Sequence, residues 1–166
     1  LGLLSDSLGV LADYAEQRGI EIAVEPLNRF ESSVINTCKD ILGVVNQVDS
    51  PACGIMLDTF HMGIEERSLA EAIEMAGQRL VHFQASENDR GSPGSGHTQW
   101  TEVSHALRRI GYDRAVVIES FTPYSTGIAD AACIWRPLAE TQNELAITGL
   151  AFLRRLFTTS PTGTTM

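Results

Sequence analysis

Basic residues are scarce in this 166-residue sequence: 12 Lys and Arg stand against 21 Asp and Glu, a formal net charge of −9. Nucleic-acid binders neutralise phosphates with a basic stripe; here the few basic residues are scattered, so no nucleic-acid partner is expected. Cysteine is sparse too. Cys38, Cys53 and Cys133 are odd in number, far apart and without C-x-x-C spacing, which gives neither a disulfide framework nor a zinc pattern. They read as reduced thiols, small buried hydrophobes of a cytoplasmic protein. No window reaches the roughly 18 consecutive apolar residues of a membrane span, and no basic n-region precedes an apolar stretch of signal-peptide type, so membrane and secretory roles are not expected. The remaining composition, 43% hydrophobic and 20% charged, suits one soluble domain or a piece of a larger one.

Helical spacing of Leu4, Leu8, Leu11 and Tyr14/Ala15 predicts a helix over 4–18 stopped by Gly19, followed by the strand IEIAVE. Thr37, with Asp40 three residues on, opens a second helix over 37–48 in the manner of a capping box. Pro51 breaks the pattern before the strand CGIMLD. Ser68 and Glu71 open a third helix over 68–77, which leads into the strand RLVHFQ. The loop GSPGSGH lacks the helix-entry Lys or Ser/Thr of a phosphate-cradling P-loop. A helix over 100–110, stopped by Gly111, precedes the β-branched run AVVIE, and a helix over 137–157 closes the fold. Strands alternating with helices predict an α/β class with a parallel sheet. The structured unit is expected to span 1–157, and the small polar residues of 158–166 to form a disordered tail.

Each strand runs through apolar residues to one polar side chain: Glu25, Asp58, Gln84 and Glu119, at intervals of 33, 26 and 35 residues. Such intervals fit one strand–loop–helix–loop unit, so these groups fall at equivalent C-terminal ends of neighbouring parallel strands, the end at which (β/α)₈ barrels carry their sites. Period-2 alternation places Ala23 with Glu25, Met56 with Asp58, His82 with Gln84 and Val117 with Glu119 on one face. The aliphatic set Ile22/Val24, Ile55/Leu57 and Val116/Ile118 is left to pack under helices. Three carboxylates aimed into one space repel unless protonated or paired with a cation. A divalent ion meets that demand, and oxygen donors without His or Cys favour Mn²⁺ or Mg²⁺ over Zn²⁺. On parity alone the alternative, separate exposed acids at strand ends, stays open.

At these residues the sequence takes on a family likeness. VEPLNRFE (24–31), LDTFH (57–61), ASENDRGSPGSGH (85–97) and VVIESF (116–121) resemble the xylose-isomerase-like TIM-barrel family of sugar-phosphate isomerases and epimerases, most of all its ketose 3-epimerase branch acting on tagatose and allulose (psicose). The resemblance implies a (β/α)₈ barrel of which this chain supplies the C-terminal half, four βα units. It implies a divalent metal, commonly Mn²⁺, with Mg²⁺ or Co²⁺ as alternatives, on Glu25, Asp58, Gln84 and Glu119. Gln84 stands where the family has His; an amide oxygen keeps the ligand neutral but lowers its softness. The implied reaction on a small sugar is C3 epimerisation through an enediolate, with Glu25 and Glu119 as the two acid/base groups on opposite faces. Glu31, His61 and Arg90 match substrate-contacting positions, Glu31 supporting Glu25.

Other readings remain beside it. His61 could cap its loop, and Arg90 could form a surface ion pair with Glu87 or Asp89. His82 reads as a core residue, and Trp100 and Trp135 as packing. A C-glycoside deglycosidase-type lyase subunit acting on a 3-keto sugar would share the barrel and the proton abstraction, and a half barrel serving only in assembly needs no chemistry. A whole barrel needs about 250 residues, and the sequence starts inside what reads as the helix before a fifth strand. The expectation is a fragment of a longer protein, or association of the chain with its missing half or with another copy across two open strand edges.

Overall fold

The computed structural model describes residues 1–124 and 126–158. Its strands β1 (Ile22–Val24), β2 (Cys53–Asp58), β3 (Leu80–Ala85) and β4 (Val116–Ile118) form one parallel sheet in chain order, the α/β arrangement expected. Around it lie the helices α1 (Gly2–Glu16), α2 (Cys38–Val48), α3 (Thr59–Glu65), α4 (Leu69–Ala76), α5 (Trp100–Arg109), α6 (Thr126–Ala131) and α7 (Gln142–Thr158), with a 3₁₀ turn over Gly77–Arg79. At the start of α2 the Thr37 side chain accepts from the Asp40 N–H while the Asp40 carboxylate accepts from the Thr37 N–H, a full capping box. Ser68 Oγ accepts from the Glu71 N–H at 3.2 Å to open α4.

Alternation decides what the sheet buries. On the outer face Ile55, Leu57 and Phe83 are fully buried against Ile41, Val44 and Val45 of α2, Ile73 of α4, and Val103 and Leu107 of α5; each such side chain contributes about 1.5–3 kcal/mol. Gly54 is required here, because a Cβ at that position would collide with the Val81 side chain. The opposite face carries Ala23, Met56, His82, Gln84 and Val117, none of them fully buried. Among the described residues β1 and β4 each have a single neighbour, so both edges of the sheet and its inner face are open.

Three features differ from the sequence expectation. Helices α3 and α6 are seven and six residues long, too short for a 3.6-residue period to register in a window of 11–18 residues. Helix α7 starts at Gln142 rather than at 137, with Thr141 Oγ1 accepting from the Glu144 N–H at 3.0 Å; Pro137 lies before that start. Cys133 is exposed, whereas Cys38 and Cys53 are buried as expected. The expected tail falls, beyond Thr158, outside the described residues. No described helix is long and apolar enough to cross a membrane.

Candidate active site

The strand ends build one cavity. Glu25 follows β1, and Pro26 ends the strand there. The loop after it folds on Asn28: its carbonyl accepts from the Glu31 and Ser32 N–H groups at 3.0 Å, and its Oδ1 accepts from the Phe30 N–H at 2.9 Å. Asp58 is at once the last residue of β2 and the N-cap of α3, Oδ1 accepting from the Phe60 N–H at 2.8 Å. That cap starts a helix whose third residue, His61, is buried beside Glu25, with Nε2 3.8 Å from Oε1. Gln84 pairs in register with Asp58 on one side and Val117 on the other. Beyond β4 the Glu119 N–H donates to the Ala85 carbonyl at 3.1 Å, extending the ladder to the fourth polar residue.

Arg90 links the second and fourth members of this row. It is buried, and Nη1 donates both to Asp58 Oδ2 and, at 3.0 Å, to Glu119 Oε2. Phe60 and Phe121 flank the guanidinium, their ring centroids 4.1 and 5.3 Å from Cζ. The surface ion pair of Arg90 with Glu87 or Asp89 does not form: Asp89 faces Arg136, and Arg90 turns inward. A backbone φ of +67° points it that way, a conformation uncommon outside glycine. Glu31 Oε1 accepts from Asn28 Nδ2 at 2.8 Å and lies 4.0 Å from His61 Nδ1. Glu25, Glu31, His61, Arg90 and Glu119 line one open cavity of about 310 Å³, together with the α6 residues Gly127, Ile128 and Ala131.

Burial holds the carboxyls of this site above their ordinary values. Burial, then the charge of Glu119, push Glu25 up to about 7. Burial pushes Asp58 up to about 8 although Arg90 opposes it. Burial and then the Arg90 charge hold His61 below the ordinary imidazole value. Two further observations fit a divalent ion. Glu25 Oε1 and Gln84 Oε1 are buried acceptors that receive no hydrogen bond, a costly state unless a ligand meets them. Glu25, Asp58 and His61 each place a potential ligand atom within 4.8 Å of the others. The donor set of Glu25, Asp58 and His61 could hold a metal ion.

Sequence reasoning overlooked the residues that hold Arg90. Glu87 is fully buried and its carboxylate gathers the loop: Oε1 accepts from Trp100 Nε1 at 2.6 Å and the Gly94 N–H at 2.7 Å, and Oε2 accepts from the Thr98 N–H at 3.2 Å. A Cβ at Gly96 would lie 2.5 Å from Oε2, so this glycine is what lets the loop close on the carboxylate. The Glu87 carbonyl accepts from the Arg90 N–H at 3.0 Å, which ties the clamp to the arginine. Trp100 is therefore a donor as well as packing; no local pattern distinguishes the two. Burial alone would raise Glu87, but hydrogen bonds from Trp100, Thr98 and Gly94 outweigh it and hold the carboxyl low. Glu87→Gln sets an amide NH₂ against N–H donors and is expected to cost about 1–3 kcal/mol near neutral pH. Because the folded value is depressed, the contribution of Glu87 is complete above the unfolded value of about 4.3 and is lost as pH falls through the folded one. Thermal unfolding of both proteins across that range should show the gap in Tm narrowing in acid; a gap independent of pH would assign Glu87 to packing alone.

Residues 1–156 match the family model described as Xylose isomerase-like TIM barrel. The D-psicose 3-epimerase of Enterocloster bolteae is 37% identical over 156 residues, 91% of this chain and 52% of that protein. The D-psicose 3-epimerase of Agrobacterium fabrum is 39% identical over 154 residues, 90% of this chain and 53% of that protein. A crystal structure of a D-psicose 3-epimerase in the presence of D-fructose superposes with a TM-score of 0.88 at 38% identity, covering 92% of this chain and 55% of that one. The chain spans about half the length of these relatives.

Proposed function

The chain belongs to the xylose isomerase-like TIM barrel family, and from that premise we propose that it carries the acid/base half of a divalent-metal-dependent ketose 3-epimerase site. The observation that carries this reading is the convergence of Glu25 and Glu119 on one cavity with a buried row of oxygen acceptors between them. Glu25, Asp58, Gln84 and Glu119 would hold the ion; when bound, it supplies Lewis-acid polarisation of sugar oxygens, Mn²⁺ or Mg²⁺ suiting this oxygen-rich set.

The protein's own groups do the rest. One glutamate removes the C3 proton as the C2 carbonyl becomes an enediolate, and the other returns a proton to the opposite face of C3. Glu25, raised to about 7, has the poise of a base working near neutral pH. Arg90 holds sugar oxygens and balances negative charge, and the two phenylalanines beside it keep water away from that charge. We assign the two open sheet edges to pairing with the other half of the barrel. Incubating the protein with D-psicose in deuterated buffer containing Mn²⁺ should yield the C3 epimer with deuterium at C3. Aglycone release from a 3-keto C-glycoside, without exchange into the free ketose, would replace epimerisation by elimination.

Gln84 gives a prediction of its own. Gln84→Leu removes an oxygen ligand and should weaken Mn²⁺ binding by about 10–100-fold, the effect typical of perturbing a metal site's supporting groups. Gln84→His should retain the metal and gain affinity for Co²⁺ and Zn²⁺ relative to Mg²⁺. Calorimetric titration of the parent and both variants checks this, and three indistinguishable dissociation constants would remove Gln84 from the ion.

A further inference from the structure

The β2–β3 ladder loses its backbone on one side before it ends on the other. Asp58 closes β2 and is also the N-cap of α3, so at Thr59 the chain has already turned into the helix. Strand β3 runs on to Ala85, and Ser86 beyond it is fully buried. A buried peptide N–H and C=O must find partners, and here one side chain supplies both. Thr59 Oγ1, itself buried, accepts from the Ser86 N–H at 2.8 Å and donates to the Ser86 carbonyl at 2.6 Å. A hydroxyl has one proton and two lone pairs. Because an N–H can only give and a carbonyl only take, both bonds form at once. One residue earlier the Ala85 carbonyl faces the other way and takes the Glu119 N–H at 3.1 Å. The hydroxyl therefore stands where the next backbone step of β2 would be.

This pair of bonds links two parts of the site. Thr59 adjoins Asp58 and opens the helix that carries His61. Ser86 adjoins Glu87, whose carbonyl accepts from the Arg90 N–H at 3.0 Å, and Arg90 reaches back to Asp58. Asp58, Thr59, Ser86, Glu87 and Arg90 thus close a ring, with the ion pair at one junction and the hydroxyl at the other. In a closed ring the two junctions constrain each other: a slip of α3 along the end of β3 moves the Asp58 carboxylate off the guanidinium. We infer that Thr59 is a positioning residue: its hydroxyl carries the β2–β3 ladder one step further after the backbone has turned into α3, and so holds the Asp58 carboxylate against Arg90. The consequence for a metal ion and a sugar rests on the epimerase reading above; the tie between Thr59 and Ser86 does not.

The test starts from the parent protein. A hydroxyl held between two buried backbone groups exchanges slowly with water. Proton spectra should therefore show a Thr59 hydroxyl signal with cross-relaxation to the Ser86 amide, and that amide should be as protected as those of β3. A freely exchanging hydroxyl, or a Ser86 amide as labile as an exposed loop's, would overturn the inference whether or not any variant folds. Thr59→Val keeps the branched shape and loses the hydroxyl; Thr59→Ser keeps the hydroxyl. The valine variant should speed exchange of the Arg90 guanidinium protons about 10–100-fold, the ratio that unpairing buried groups corresponds to. It should also weaken Mn²⁺ binding about 10–100-fold, the loss typical of removing a group that supports a metal site. Serine should restore both. A valine variant with a lower Tm but parental Arg90 exchange would make Thr59 a packing residue and overturn the inference, as would a serine variant that behaves like valine. A parent that binds no Mn²⁺, or exchanges no deuterium into a ketose, would overturn the epimerase reading and leave the Arg90 exchange to decide this one.

Discussion

Glu25→Gln and Glu119→Gln are each expected to stop solvent deuterium from entering C3 of the ketose, with turnover falling by at least about 10²–10⁴-fold, the range of general acid–base catalysis. The substitution is nearly isosteric. It leaves a carbonyl oxygen for an ion while removing the lone pair that takes the proton, so metal affinity should fall far less than turnover does. A proton crosses C3 only when both glutamates act, so both variants should also lose net interconversion. Mass spectrometry of the recovered sugar, run beside a Mn²⁺ titration, separates the outcomes. Near-parental exchange in either variant would end the two-glutamate mechanism; exchange lost in step with the metal would reduce the glutamates to ligands.

Arg90→Met should be the most destabilising of the single substitutions considered. Arg90 is the cation against Asp58, whose side chain is wholly buried, and it also reaches Glu119. Above the raised Asp58 value of about 8, where that carboxyl is ionised, removing one partner of a buried pair costs about 3–5 kcal/mol, because the other charge is left without compensation. Methionine keeps much of the side-chain volume, so the loss reports charge rather than a cavity. The left-handed backbone at residue 90 is unchanged by the swap and cancels in the comparison. A divalent ion on the same carboxylates should restore part of the loss, since ligand binding to the folded state alone stabilises it by mass action. Chemical denaturation of parent and variant, with and without Mn²⁺, measures this. Equal stability of the two metal-free proteins would show that Asp58 is carried protonated and needs no partner.

These two expectations draw on different kinds of information. The glutamates were legible from the sequence, because the alternation of side chains along a strand is set by the local backbone. A run such as IEIAVE or AVVIE fixes which residues share a face without reference to the rest of the chain. Of the outer set named from parity, Ile55 and Leu57 are fully buried while Ile22, Val24, Val116 and Ile118 are half-buried; of the inner set, Met56, Gln84 and Val117 lie on the open side. Capping was legible for the same reason, since Thr37 and Asp40 meet within a single turn. The short helices α3 and α6 escaped because fewer than two turns carry no period.

What the sequence determined by itself was therefore what is set within the longer elements: the α/β class, the order of the strands and of the longer helices, the caps of α2 and α4, and the residue standing at each strand's end. What only the tertiary structure decided was which of those residues meet. Arg90 lies 32 positions from Asp58 and 29 from Glu119, and its inward turn depends on the Glu87 carboxylate gathering N–H groups from across a loop. His61 Nδ1 takes the backbone N–H of Asn28, 33 positions away. Contacts of this kind are fixed by strand order and loop closure rather than by local period. A donor's partner is a property of position in space, and the chain acquires it only when the β1, β2 and β3 ends are brought side by side.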